Sequence, residues 1–244
     1  MQATYPDLKG RTALVTGASS GIGRGIAQAL EAQGMKVGWH YRTHQPPGQI
    51  ALQADLGTEQ GCLQLAEQAW EKLGGVHLLV HSAGIWNDGP ITAISSAKLE
   101  EMFRVNTFSA FYLVRELIPA SLRNIVFIGS TAGQRGEPGH SHYAASKGAL
   151  QSMMMSLAVE LAPQVRSNLV SPGWVRTSMT EKMLEEIGPA LIPTLPNQRV
   201  AEIDDVVNAV LYLASDASSH LLGQDICVSG GALLVVPRGQ VRPA

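Results

Sequence analysis

The chain has 244 residues, 45% of them apolar and only 16% charged, so it can bury a sizeable core and is poorly suited to disorder. Eighteen Lys and Arg against 20 Asp and Glu give a formal net charge of −2, which offers no basic field for holding a nucleic-acid backbone. No apolar run approaches the ~20 residues that span a bilayer, residues 1–11 lack the apolar stretch of a secretory signal, and two cysteines, Cys62 and Cys227, cannot build a disulfide framework; a cytoplasmic protein without membrane or nucleic-acid partners is expected.

Apolar runs of strand length alternate with amphipathic stretches of helical length. Strands are expected at 12–16, 36–39, 50–54, 78–81, 124–128, 167–170 and 225–228, and helices at 22–33, 58–73, 97–119, 143–161 and 204–215. Strands apolar throughout are buried on both faces, so the alternation predicts an α/β fold, a three-layer doubly wound parallel sheet of about seven strands. One link breaks the rhythm. Between the second and third strands only about ten residues remain, including Gln45-Pro46-Pro47-Gly48. A crossover helix needs about a dozen residues, and proline resists helix formation, so this helix is expected to be shortened or absent. With no linker, repeat or charge block, residues 1–244 read as a single domain.

The first strand runs into Thr16-Gly17-Ala18-Ser19-Ser20-Gly21-Ile22-Gly23, and a helical pattern follows. Glycines in such a turn let the backbone approach a pyrophosphate, whose charge sits at the helix N-terminus, so Gly17, Ser19, Ser20, Gly21, Ile22 and Gly23 are candidate dinucleotide contacts. The end of the second strand reads Trp39-His40-Tyr41-Arg42-Thr43, with no carboxylate to accept from a ribose 2′-hydroxyl. Arg42 can instead present a planar guanidinium to a 2′-phosphate, which favours NADP(H), with NAD(H) as the alternative.

Tyr143 and Lys147 stand four residues apart, on one face of a helix. A free tyrosine, with a pKa near ~10, is a poor acid–base catalyst at neutral pH, and an ammonium group alongside would lower it. Ser130 follows the strand at 124–128, at the carboxyl edge of the sheet where ligands bind in such folds, and its hydroxyl can polarise a carbonyl.

Taken together, these residues resemble the short-chain dehydrogenase/reductase family over nearly the whole chain. The matching pieces are Thr16-Gly17-x-x-x-Gly21-x-Gly23, Asp55-Leu56, Ala83-Gly84, Asn106, Ser130, Tyr143-x-x-x-Lys147 and Pro172-Gly173 followed by Thr177. The stretches 136–147 and 213–231 look most like the 3-oxoacyl-[acyl-carrier-protein] reductase branch. The resemblance implies a Rossmann fold and a catalytic set of Asn106, Ser130, Tyr143 and Lys147. Tyr143 would exchange a proton with the carbonyl or alcohol oxygen. Lys147 would lower its pKa and hold the nicotinamide ribose, Ser130 would orient the carbonyl, and Asn106 would hold a relay water. Asp55 and Leu56 would meet the adenine, Ser82, Ala83 and Gly84 the adenosine ribose, and Pro172, Gly173, Val175 and Thr177 the nicotinamide and its phosphate. Most relatives have Asn-Asn-Ala-Gly where this chain has His81-Ser82-Ala83-Gly84, which removes the Asn support of that strand.

Residues 178–198 would be a mobile lid, made irregular by three prolines, and Met179, Met183, Leu184, Ile187, Leu191 and Ile192 would face an apolar or acyl substrate or simply pack the lid down. Trp86, His140 and His142 are placed at the mouth of the site. They have no convincing metal spacing, and no metal is expected. Docking of an acyl carrier protein would use basic residues such as Arg123, Arg135, Arg166 and Arg176. By resemblance the helix bearing Tyr143 pairs across a homotetramer, and Met153-Met154-Met155 with residues 157–161 would serve core or interface. The expected activity is reduction of a 3-oxoacyl thioester with NADP(H). Alternatives are an alcohol or ketone dehydrogenase of the same family and a non-catalytic dinucleotide-binding sensor or scaffold.

Overall fold

A computed structural model of the chain describes residues 3–119 and 121–234. Met1, Gln2 and the positions after 234, which fall within the single span expected for 1–244, lie outside the described residues. Seven parallel strands, β1 (Thr12–Val15), β2 (Lys36–Tyr41), β3 (Ile50–Gln53), β4 (Leu78–His81), β5 (Asn124–Ile128), β6 (Arg166–Pro172) and β7 (Asp225–Val228), form one sheet in the order β3-β2-β1-β4-β5-β6-β7. The order reverses between β1 and β4, and the carboxyl ends of these strands open the crevice in which such sheets bind ligands.

Helices cover both faces. On one, α2 (Glu59–Leu73), α4 (Ser109–Leu117) and α6 (Ser141–Glu160) close over Leu52, Leu79 and Phe127, contributing Leu65, Leu113 and Leu150. On the other, α1 (Gly21–Ala32) and α8 (Ile203–Ala214) bring Ile26, Leu30 and Val210 onto Val15, Trp39 and Val126. Adjacent residues such as Leu79 and Val80 enter opposite clusters, because a strand points alternate side chains to opposite faces. That is why the central strands β1, β4 and β5 are apolar over most of their length.

The link between β2 and β3 contains no helix, as expected. Its place is taken by a loop that lays Gly48 over the fully buried ring of Trp39, so tightly that a Cβ on Gly48 would stand 2.4 Å from the indole. Trp39 Nε1 donates to Glu31 Oε1 at 2.8 Å, which ties this loop-covered ring to α1.

Two expectations need correction. The single helix expected at 97–119 is α3 (Ser96–Phe103), a π-helical turn at Arg104–Phe108, and α4. A π turn inserts one residue into the helical ladder, which periodicity does not reveal, and such turns cluster at functional sites. The lid, expected to be irregular, contains α7 (Glu181–Leu191), with Pro189 near its end. Leu184 packs with Leu195 and Val200, backed by Trp174, Leu191 and Ile192, and this burial holds the helix despite the proline. The structure therefore divides the apolar lid residues. Leu184, Leu191 and Ile192 pack the segment down, whereas Met179 is exposed at the crevice.

Candidate active site

The glycine turn is held from below. Gly17 has φ +66°, and a Cβ there would sit 2.9 Å from the Cα of Ala83, so only glycine lets β1 pass this close to the loop after β4. Thr16 Oγ1 accepts from the N–H groups of Ser82 (3.0 Å) and Ala83 (2.9 Å) and fixes that loop. Ser20, the N-cap of α1, makes no side-chain cap bond, which leaves first-turn N–H groups available beside the crevice. A glycine cradle and uncapped helix N-terminus of this kind fit a pyrophosphate.

His40 is a residue whose role the sequence reading missed. Its ring is buried between the turn and β3; Nδ1 accepts from Gly17 N–H at 3.0 Å, and Nε2 donates to Ala54 O at 3.2 Å. Its own carbonyl accepts from Ala18 N–H at 2.8 Å. Burial pushes its pKa down to about 4, so the ring is neutral and its tautomer fits both bonds. One imidazole thus ties the glycine turn to the strand end that leads into Asp55 and Leu56. Periodicity marked only a buried strand position here.

Ser130 caps α5 (Thr131–Arg135), accepting from Ala132 N–H at 3.1 Å. Helix α5 lies on α6 through a Gly133–Gly148 contact, where a Cβ on Gly133 would meet Gly148 N at 2.8 Å. This approach of two backbones brings Ser130 to Tyr143 and Lys147, one turn apart on α6. Neither glycine carries a signal readable without the fold.

Lys147 is buried, and its Nζ donates to Ile128 O at 2.9 Å. Burial pulls its pKa down to about 8. Burial also drives the Tyr143 phenol up to about 12, with the Ser130 hydroxyl acting the other way. The lowering of Tyr143 expected from Lys147 is therefore not found, because desolvation of the phenolate dominates and the ammonium is directed to a backbone carbonyl. At neutral pH the phenol is a proton donor.

Asn106, inside the π turn, is fully buried. Its Nδ2 donates to Ile85 O and to Ser146 Oγ, both at 3.0 Å, and its Oδ1 accepts from Ile85 N–H at 2.8 Å. Its side chain thereby locks the loop after β4 to the helix bearing Tyr143. In place of the family's usual first Asn, His81 Nε2 donates to Ser109 Oγ at 2.8 Å, and Ser109 Oγ donates in turn to Val105 O at 2.7 Å. Complete burial pushes His81 down to about 3, so it too is neutral.

Gly17, Ser19, Ser20, Gly21, Ile22, Gly23, Arg42, Asp55, Leu56, Ser82, Ala83, Gly84, Ser130, Tyr143, Lys147, Pro172, Gly173, Val175 and Thr177 all line one cavity of about 370 Å³. Asp55 also accepts from Gly57 N–H at 2.9 Å, so it shapes its own turn while facing the cavity. Arg42 is exposed at the rim, and among the described residues its side chain has no carboxylate partner. Ser130 and Tyr143 also border a second cavity of about 90 Å³, walled by Trp86, Trp174 and Met179 with Arg135 and Glu137 at its edge. Trp86 lies flat on His140, ring centres 4.7 Å apart, and edge-on to Trp174 at 6.3 Å.

Of the four arginines considered for partner docking, two are misplaced. Arg123 and Arg166 stand at the amino edge of the sheet, and the Arg166 guanidinium is held by the carbonyls of Leu213, Ser215 and Ser218. Arg135 and Arg176 lie on the site side, Arg176 paired with Glu202 at 3.4 Å. Met153 and Met154 are core, while Met155 is exposed. Among the described residues no group of three His, Cys, Asp or Glu is placed to hold a metal ion, and no helix is long and apolar enough to cross a membrane.

A family model described as enoyl-(acyl carrier protein) reductase matches residues 17–232. Nodulation protein G of Rhizobium sp. (strain N33) is 35% identical over 94% of this chain and 99% of its own length. The 3-oxoacyl-[acyl-carrier-protein] reductase FabG of Escherichia coli (strain K12) is 32% identical over 94% of this chain and its own full length. Among solved structures, the aldohexose dehydrogenase of Thermoplasma acidophilum superposes with a TM-score of 0.90 at 28% identity, covering 98% of this chain and 100% of that one. A short-chain dehydrogenase/reductase of Brucella melitensis, a glucose/ribitol dehydrogenase by name, gives 0.88 at 31% identity over 94% of this chain and 98% of that one.

Proposed function

The chain belongs to the short-chain dehydrogenase/reductase family, an oxidoreductase family that uses an NAD(P) dinucleotide, and from that premise we propose that it reduces the carbonyl of a 3-oxoacyl thioester to a secondary alcohol with NADP(H). The supporting observation is that Ser130 and Tyr143 border two cavities at once, the large glycine-lined one and the small one walled by Trp86 and Trp174. A carbonyl at that junction can be served from both sides. A nicotinamide dinucleotide, when bound, supplies the hydride.

The residues of the chain do the rest. The Ser130 hydroxyl donates to the carbonyl oxygen and holds it toward Tyr143. The Tyr143 phenol, protonated at neutral pH, gives its proton to that oxygen as negative charge develops. Lys147, buried beside it, restrains the phenolate left behind and is available for a ribose hydroxyl. Asn106 keeps the loop after β4 and α6 in register. Ser19, Ser20 and the first turn of α1 receive the pyrophosphate, and Arg42 the 2′-phosphate.

Trp86, Trp174 and Met179 give the smaller cavity an aromatic and apolar wall on which an acyl group can lie, while Thr131, Arg135, Glu137 and Thr180 supply its polar side. Arg135 and Arg176, on the site side, are the basic residues proposed to meet an acyl carrier protein. Phe108, Phe111, Met155 and Val159, exposed on the π turn, α4 and α6, are proposed as a face that associates in a homotetramer, and two free cysteines suit a reducing cytoplasm. The test is initial-rate oxidation of NADPH, and separately NADH, with a short 3-oxoacyl thioester, a free ketone and an aldohexose. Turnover of the thioester with NADPH is expected. Turnover confined to free ketones or sugars would move the substrate class. Cofactor binding without turnover of any carbonyl would favour a non-catalytic sensor.

A further inference from the structure

The small cavity beside Ser130 and Tyr143 is a corner bounded by packed aromatic rings. Trp86, on the loop after β4, is stacked on His140 with only 5° between the ring planes, and it meets Trp174 at 82°. Trp174 is itself backed by the apolar cluster beneath α7 that contains Leu184, Leu195 and Val200. The two loops that carry Trp86 and His140 are joined by Gly89 N–H donating to Gly139 O at 2.8 Å and by a 2.8 Å bond between His142 Nε2 and Asn87 Oδ1. His140 Nδ1 is fixed at 3.1 Å from Pro138 O. Neither indole can leave without breaking these contacts.

A substrate whose carbonyl oxygen lies between Ser130 and Tyr143 has this corner open to one of its substituents. An enclosed apolar cavity of about 150 Å³ holds a benzene molecule. The corner, at about 90 Å³ and partly open to its surroundings, offers less enclosed room than that. On the reading that this site reduces 3-oxoacyl thioesters, we propose that Trp86 and Trp174 form a chain-length stop, so that the enzyme takes short unbranched acyl groups, about one to three carbons beyond the reacting carbonyl, and excludes long ones. The thioester arm leaves past the polar edge formed by Arg135 and Glu137. Within the corner each added methylene raises kcat/KM by about fourfold, the ordinary gain for burying a CH₂. Beyond the stop, the chain must displace a stacked indole, and overpacking reverses the gain.

The experiment measures kcat/KM with NADPH for 3-oxoacyl N-acetylcysteamine thioesters of four, six, eight and twelve carbons. It uses the wild-type protein, Trp86→Ala and Trp174→Ala, with Trp86→Phe as the conservative variant. The wild type is expected to peak at four to six carbons and to fall at least tenfold by twelve. Each alanine variant is expected to shift the optimum upward by two or more carbons, and Trp86→Phe to stay near the wild type. If a variant fails to fold, the wild-type series decides alone. A wild-type optimum at eight or twelve carbons, or alanine variants that lose activity equally at every length, would overturn the stop while leaving carbonyl reduction intact. No turnover of any thioester would instead remove the reading on which the stop rests, and the stop with it.

Discussion

His40 offers the sharpest test of how the dinucleotide half of the site is held. Its imidazole accepts from Gly17 and donates to Ala54, and only the neutral ring can do both. The charged and titratable groups nearest it are Asp55, which follows Ala54, and the neutral His81. Burial outweighs Asp55 and depresses the pKa from 6.5 to about 4. Because the folded value lies below the unfolded one, the stability this neutral ring contributes is fully present above pH 6.5 and is lost as pH falls toward 4. Linkage puts the loss attributable to His40 at roughly 2 kcal/mol between pH 8 and pH 5, and roughly 3 kcal/mol once pH 4 is passed. His40→Gln retains an acceptor and a donor but does not titrate. Urea unfolding at pH 8, 6.5 and 5, extrapolated linearly, should therefore find the gap between wild type and His40→Gln closing by about 2 kcal/mol across that range, with His81 common to both. His40→Phe, which leaves Gly17 N–H and Ala54 O without partners, should lose about 2–5 kcal/mol at pH 8 and weaken NADPH binding. Parallel pH profiles for wild type and His40→Gln, or a His40→Phe variant as stable as wild type, would refute the reasoning.

Arg42→Ala should weaken NADPH binding by about 10- to 100-fold, the value of charged hydrogen bonds to phosphate, while NADH affinity changes less than about threefold. Fluorescence titration of both cofactors reads this, and equal losses would remove the 2′-phosphate contact. Gly17→Ala forces a Cβ to within 2.9 Å of the Ala83 Cα at φ +66°. The strain, about 1–3 kcal/mol, should push the turn away from the loop after β4 and cut dinucleotide affinity at least tenfold, as calorimetric titration would register.

Much of this molecule is legible in its amino-acid order, for identifiable reasons. Strands buried on both faces, such as Leu78–His81 and Asn124–Ile128, must be mostly apolar, with only His81 and Asn124 polar at their ends, and the helix-forbidding Pro46-Pro47 announces the missing crossover. The glycine turn and the Tyr143/Lys147 spacing are local, so they can be read without a fold. What stayed hidden depends on pairs distant in sequence. The His40 ring joins segments 23 and 14 residues away, and the approach of Gly133 to Gly148 is visible only once α5 and α6 are packed. The lid helix formed despite Pro189 because Leu184 finds Leu195 and Val200, a tertiary gain that local propensity does not contain. The burial of Arg166 under the carbonyls closing α8 was equally invisible from its neighbours in the chain.

The central claim is that Tyr143 gives the proton in carbonyl reduction, and the direct measurement compares wild type with Tyr143→Phe in NADPH oxidation by a short 3-oxoacyl thioester, alongside NADPH binding by each. The phenylalanine ring fills the same space and removes only the hydroxyl. The account predicts NADPH affinity within about threefold of wild type and a kcat lower by at least 100-fold, the usual scale of one general acid. Turnover retained within tenfold by Tyr143→Phe would contradict it.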